Sequence, residues 1–512
     1  MSDSITRRSF LTTAAAAGTV AAVGAVASVG IVGCAQQNSS GSTGSNNGDS
    51  PGTNPDSGAQ ASKDTILEIN ITPFPNWHHG NPGIGIDPKN PNNMCLVCTS
   101  TTPWDNTWHF SMAQSVYYST DRGDTWTQTD FPFGIYPGAG VATLTVDSDG
   151  LFYLHYNALR APDPADDRYA SRINPTLVSS SSDGGKTWSD PVETHYVVTG
   201  YPMSRVDKAT GKYYVLGAKR GQWQLPVYVS VSSDKGKTFS EPKRFPFPKR
   251  VHPDNNFEGF PGNIMAVHAG ILTSAHQESL TNPAVDEYCH FLVSRDDGDS
   301  WDSFPIQVKD AEGNLKPVPA ADILLRNFGS GPRGYCEPLP LVTADPTKEG
   351  RFACLVPRDL GKANSNDLIG FEVYTTEDAG KSWIGTKIVA TDACRPWIEF
   401  GANGVLGVVW RTHHVHCFAA VSLDHGASFS MPLRFNKEAQ PLGDSGPTSD
   451  YWSRIEIDEE FVHVGWADCR TGGALSVIYG RAPLGAFKAM PPAPIPLTTR
   501  PGTPLPHKEE AM

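Results

Sequence analysis

The stretch Ser119-Thr-Asp121-Arg-Gly123-Asp-Thr125-Trp126 decides the architecture, because its pattern, Ser/Thr-x-Asp-x-Gly-x-Thr/Ser-Trp/Phe, occurs six times in the chain. The other copies run Ser181 to Trp188, Ser232 to Phe239, Ser294 to Trp301, Thr376 to Trp383 and Ser422 to Phe429. Each follows a β-type run such as Ser115-Val-Tyr-Tyr118 or Val227-Tyr-Val-Ser230. The spacing has a physical reason. The aspartate can accept backbone N–H groups inside a tight turn, and the glycine two residues on supplies a positive φ. The next hydroxyl side chain can close the turn, and the aromatic packs under it. Asp121, Asp183, Asp234, Asp296, Asp378 and Asp424 are therefore read as structural turn residues.

Ahead of each copy lies a second signal, a short strand, a turn rich in Asp, Gly or Asn, and an apolar strand. Gly83-Ile-Gly-Ile-Asp87 with Met94-Cys-Leu-Val-Cys98 is one example, and Ala142-Thr-Leu-Thr-Val-Asp147 with Leu151-Phe-Tyr-Leu154 is another. A seventh such pair, Trp452 to Asp458 with Phe461 to Trp466, follows the last copy without a turn motif of its own. It has a third strand at Leu475 to Tyr479 but no clear fourth, and Thr65-Ile-Leu-Glu-Ile-Asn-Ile71 is free to supply one. Closing a ring with strands from both termini leaves no sheet edge unpaired. Residues 64–490 are thus expected to form an all-β propeller of four-stranded blades, seven by this count, with a six-bladed ring as the alternative.

The repeated motif resembles the Asp-box, or bacterial neuraminidase repeat, of the sialidase superfamily. In that family it lies on the turn between the third and fourth strands of a blade, away from the ligand face. The resemblance implies a site on the opposite face, built from the loops between strands 2 and 3 and from strand 4 to the next blade. Sialidases use three arginines on the substrate carboxylate, a tyrosine nucleophile with a glutamate base, and an aspartate acid/base. Carried over, Tyr451 in Asp450-Tyr451-Trp-Ser453 matches the nucleophile, Glu337 in Cys336-Glu337-Pro338 its base, and Asp105 the acid/base. Arg358 and Arg395 match two clamp arginines, and Trp104 and Trp108 flank Asp105 where an indole can stack on a sugar. One feature departs from the family. Its first-module Arg-Ile-Pro is replaced by Gly80-Asn81-Pro82-Gly83, which puts transition-state binding of a sialoside in doubt. The expected function is binding of a glycan or an exported protein, with exo-sialidase or related glycosidase action, or assembly of exported proteins, as alternatives. In the last module, Asp468 and Arg470 are expected to pair structurally.

The N-terminus reads Thr6-Arg7-Arg8-Ser9-Phe10-Leu11 before an uncharged Ala/Val/Gly stretch to Gly33. It resembles a twin-arginine export signal, and Ile31-Val32-Gly33-Cys34 resembles a lipobox that would make Cys34 the acylated residue. Residues 1–34 are then signal, and 35–63, rich in Ser, Gly and Asn, a flexible tether. Residues 491–512 form a Pro-rich tail. The mature protein would sit outside the cytoplasmic membrane, touching it only through lipid, as a monomer. With 41 basic against 54 acidic residues and no basic run in the folded part, nucleic acid is not an expected partner. Cys95-Leu-Val-Cys98 has C-x-x-C spacing, but a strand would send the two thiols to opposite faces. His413, His414 and His416 lack a supporting ligand cluster, so neither metal nor cofactor is expected.

Overall fold

The computed structural model describes residues 66–73, 78–101, 112–132, 134, 138–159, 175–197, 202–219, 227–245, 265–278, 288–319, 340–359, 369–390, 393–412, 416–437, 453–470 and 475–489. All lie in the compact unit Ala61–Met512. They form seven four-stranded antiparallel blades of a β-propeller. Blade 1 comprises His78–Ile86, Met94–Thr101, Met112–Ser119 and Thr127–Thr129, ordered from the axis outward. Blade 2 comprises Gly138–Val146, Phe152–Leu159, Pro175–Ser181 and Val192–Val197, and blade 3 Met203–Val206, Tyr213–Lys219, Val227–Ser232 and Lys243–Arg244. Blade 4 is Met265–His268, Ile271–Glu278, Tyr288–Ser294 and Asp302–Pro305. Blade 5 is Leu341–Ala344, Phe352–Asp359, Ile369–Thr376 and Ile384–Ala390, and blade 6 Ala393–Phe400, Leu406–Thr412, Cys417–Ser422 and Leu433–Arg434. Blade 7 takes Ser453–Ile457, Phe461–Asp468 and Ser476–Pro483 from the C-terminal end of the chain. Its outer strand is Leu67–Asn70, paired with Ile478–Arg481, so the ring closes with one strand from the N-terminal side.

Burial follows position. The second strands, such as Met94 to Thr99, are buried throughout because each faces a neighbouring blade on both sides, and they read as continuous apolar runs. The inner strands usually end in an aspartate that caps the first turn of the blade. Asp147 accepts from the N–H groups of Asp149 and Leu151, and Asp458 from those of Glu460 and Phe461, at 2.7–2.9 Å. Blade 4 lacks such a residue, and the N–H groups of Ala269 and Gly270 go instead to Asp207 of blade 3. Two features were absent from the sequence reading. A hairpin, Gln307–Lys309 with Leu315–Pro317, stands between blades 4 and 5, and Ala218 and Lys219 of blade 3 pair with Val197 and Tyr196 of blade 2.

The six repeated turns share one geometry. In the first, Asp121 accepts from Ser119 Oγ (2.7 Å), Thr125 N (2.9 Å) and Thr125 Oγ1, and Ser119 Oγ accepts from Gly123 N (2.8 Å). The hydrogen bond from Thr238 leads the effects that hold the corresponding Asp234 carboxyl down at about 2. Two consecutive residues take positive φ, for example Arg122 (60°) and Gly123 (87°). The sequence reading assigned that conformation to the glycine alone. The glycine also has a role that spacing did not reveal, because it lies against the preceding blade. A Cβ on Gly185 would sit 3.1 Å from Cys95 Sγ, on Gly298 2.9 Å from Val229, and on Gly380 2.7 Å from Phe291. Each turn therefore closes its own hairpin and also seals the seam to the blade before it. Cys95 and Cys98 point into two different seams, toward blade 2 and blade 7, as strand alternation requires.

Candidate functional site

Antiparallel order puts the repeated turns and the first-to-second-strand turns on one face of the ring. The connections from second to third strands, and from each blade to the next, lie on the other face, the mouth. Asp105, Trp104, Trp108, Glu337 and Tyr451 belong to those mouth connections and lie outside the described residues, as does Cys34. Arg358 and Arg395 are placed by their backbones only. Arg358 pairs with Gly370 one residue from the mouth end of its strand in blade 5. Arg395 is the third residue of the inner strand of blade 6, within a register break between Cys394 and Trp397.

That break recurs in three inner strands. Blade 1 bulges between Gly80 and Gly83, blade 2 between Ala139 and Ala142, and blade 6 between Cys394 and Trp397. A bulge of this kind re-aims side chains at a sheet end. The extruded pair is Arg395-Pro396 in blade 6 and Asn81-Pro82 in blade 1. Asn81 is buried, with φ of 51°, a conformation that asparagine tolerates better than a long side chain does. The bulge therefore falls at an arginine in the sequence of blade 6 and at a small neutral amide in that of blade 1.

Other charged groups near the mouth are committed to the fold. Arg470 binds Asp468 through two parallel hydrogen bonds (2.8 and 2.7 Å) and reaches Glu68 of the closing strand (2.8 Å). This pairing ties the N-terminal strand to blade 7. Arg454 stacks on Trp397 with its guanidinium 3.5 Å from the ring centroid.

A second polar site lies on the ring axis, where the inner strands of all seven blades enclose a cavity of about 70 Å³. Its ionisable lining is Arg205, Lys208, His268, Glu399 and Glu456. Glu399 accepts from Arg205 (3.2 Å) and Thr343 (2.9 Å), which joins blades 3, 5 and 6 across the axis. Glu456 opens onto the cavity and is otherwise walled in by protein. Burial, and next the Glu399 carboxylate, push it up to about 8, so it holds its proton at neutral pH. Ligand pockets of drug size run from about 300 to 1,000 Å³, so the axial cavity suits a few waters and excludes a sugar ring. None of these five residues was a candidate in the sequence reading. The available signal was a charge inside a short strand otherwise bound for burial, as in Arg205-Val206-Asp207. Among the described residues no group of His, Cys, Asp or Glu has metal-binding geometry.

Fold and mouth define the class as a seven-bladed propeller closed by its N-terminal strand. Family models and curated proteins gave no match to the sequence. Among solved structures, the chain is similar to a sialidase, Hz136, from Hadza microbial sources, at 14% identity and a TM-score of 0.39, covering 73% of this chain and 74% of that one. It is also similar to an α-L-arabinanase of Penicillium chrysogenum complexed with arabinobiose (14% identity, TM-score 0.41, 70% and 97% covered). A fungal alcohol oxidase in complex with copper gives 10% identity and a TM-score of 0.47, with 84% and 79% covered. The blade count rests on the strand pairing of this chain itself.

Proposed function

We propose that the protein is an exported, lipid-tethered, sialidase-like propeller that binds an acidic glycan at its mouth and does not hydrolyse it. The observation that carries this reading is the blade 1 bulge, where Gly80-Asn81-Pro82, with Asn81 buried, stands in place of the Arg-Ile-Pro of sialidases, so the first clamp arginine is missing. Each bidentate arginine–carboxylate contact is a charge-assisted pair. Without one of three, the mouth keeps enough positive charge to hold a carboxylate but loses part of the differential grip that catalysis needs. Arg358 and Arg395 would provide the remaining charge, and Trp104 and Trp108 the stacking surface. Export in the folded state is supported by the thiols of Cys95 and Cys98, both buried and unbridged. A fold built around reduced cysteines suits completion before the chain leaves the reducing compartment. Cys34 would carry the lipid, and residues 35–63 the tether.

The test has two arms. Glycan-array binding should pick out acidic glycans and should weaken at least tenfold in R395A. A fluorogenic sialoside should be left intact by wild type. Turnover that disappears in Tyr451→Phe would replace the binding reading with an exo-sialidase, in which Glu337 is the base and Asp105 the acid/base. If the protein neither binds glycans nor turns over the sialoside, a protein-assembly role becomes the reading to pursue.

A further inference from the structure

Among the described residues, the seam between blades 6 and 7 contains a buried guanidinium with no carboxylate partner. Arg411 is the penultimate residue of Leu406–Thr412 and lies between Cys394 and Cys417 in the sheet register. Its side chain is 0% exposed. One nitrogen, Nη1, donates to the carbonyl of Ala467 in blade 7 at 3.0 Å. The other two, Nε and Nη2, are buried and have no hydrogen-bond partner among the described residues. The carboxylate next in sequence to Ala467 is already saturated. Asp468 accepts from the Arg470 N–H (3.2 Å), Nε (2.8 Å) and Nη2 (2.7 Å), and from Trp466 Nε1 (3.0 Å). These four bonds fill the four acceptor positions of a carboxylate.

A guanidinium does not shed its proton in a protein interior, so the group cannot escape burial by becoming neutral. Water could satisfy its two idle nitrogens but would leave the charge unbalanced. An uncompensated buried charge is strongly destabilising. The contrast with Arg351 is direct, because that side chain, 8% exposed, is held by both Asp345 and Glu377. Arg470, the other arginine at this seam, is likewise matched by two carboxylates.

We propose that Arg411 marks a buried site for one small monovalent anion of halide size, held by Nε and Nη2 at the mouth end of the seam. The site lies across the ladder from Cys394, the residue before Arg395. It is independent of what the mouth binds, and it adds an anion requirement to the stability of the ring.

The experiment follows thermal unfolding of the whole protein in chloride, in bromide and in gluconate at constant ionic strength. In wild type, chloride and bromide should raise Tm relative to gluconate, by about 2 °C per tenfold increase above the dissociation constant. In R411M that halide-specific increment should vanish. A crystal grown in bromide should show an anomalous peak within hydrogen-bond distance of Arg411. If R411M does not fold, the position of the bromide peak in wild type decides the question. Equal Tm in halide and gluconate, an increment that survives in R411M, or a bromide crystal without a peak at Arg411 would overturn the proposal.

Discussion

Six seams of the ring are closed one way and the seventh another. At the seams from blade 7 to 1 round to blade 5 to 6, the glycine of a repeated turn packs against the blade before it, as Gly123 does on Tyr479 and Gly426 on Thr375. Blade 7 has no such turn to lay on blade 6. The segment after its third strand takes that place. Leu484–Ala486 forms a short 3₁₀ turn, Met431 N donates to Lys488 O at 2.8 Å, and Phe487 enters the core between blades 6 and 7 with Ile455 and Val464. The difference teaches that the motif is one local solution to a general requirement. Every seam needs a plug on the turn face, and an unrelated apolar segment can serve. The replaced seam is also the one that holds Arg411.

The largest expected effect comes from removing that substitute plug. Phe487→Ala should lower unfolding free energy by about 3–5 kcal/mol, the range for truncating a buried phenylalanine, as read from urea denaturation. A loss under about 1 kcal/mol would mean that the segment does not seal the seam. The glycine seams can be tested against an internal control. Gly380→Ala adds a left-handed alanine and drives its Cβ toward Phe291, whereas Gly211, with φ of 73°, has nothing within 4 Å of its Cβ position. Gly380→Ala should cost about 2–4 kcal/mol and Gly211→Ala about 1, so equal losses would reduce the seam contact to backbone strain alone.

Titration separates the seams further. His155 of blade 2 donates from Nδ1 to Met203 O of blade 3 (3.2 Å) and accepts at Nε2 from Thr176 (3.0 Å). Burial lowers its folded pKa to about 3. A base depressed below its unfolded value of roughly 6.5 contributes full stability above that pH, and the contribution is lost as pH falls toward 3. Glu456 acts in the opposite sense. Its folded pKa is raised to about 8, so its contribution is complete below the unfolded value near 4.3 and declines as pH rises toward 8. His155→Gln should therefore flatten the acid-side loss between pH 6.5 and 4.5. Glu456→Gln should raise stability at pH 7 by about 1–2 kcal/mol, discounted for its opening onto channel water. Parallel pH profiles for wild type and both variants would refute these assignments. The smallest effect is expected at Lys235, which has φ of 63° where blade 2 carries Gly184. Its ion pair with Asp149 is exposed, so Lys235→Gly should gain about 0.5–1 kcal/mol or less through relief of the left-handed backbone. A clear loss would show that this surface pair matters.

The blade count was legible in the sequence because strand pairs recur around fixed turn chemistry, and backbone hydrogen bonding within a blade is local. The orphan fourth strand was legible too, since Leu67–Asn70 is a β-type run with no module of its own. The candidate site was legible only as a set of mouth connections, from topology and a family resemblance. The strands fix the backbones of Arg358 and Arg395, while Asp105, Glu337 and Tyr451 lie outside the described residues. What the sequence alone determined is therefore the repeat, the blade and the expectation of a ring, all of which depend on contacts a few residues apart. Only the tertiary structure decided which glycine touches which blade, that Phe487 replaces a missing turn, and that Arg205, Glu399 and Glu456 meet on the axis. It also decided that the cation of Arg411 is buried without a carboxylate partner among the described residues. These are contacts between residues tens to hundreds of positions apart, and no spacing along the chain encodes a distance across the ring.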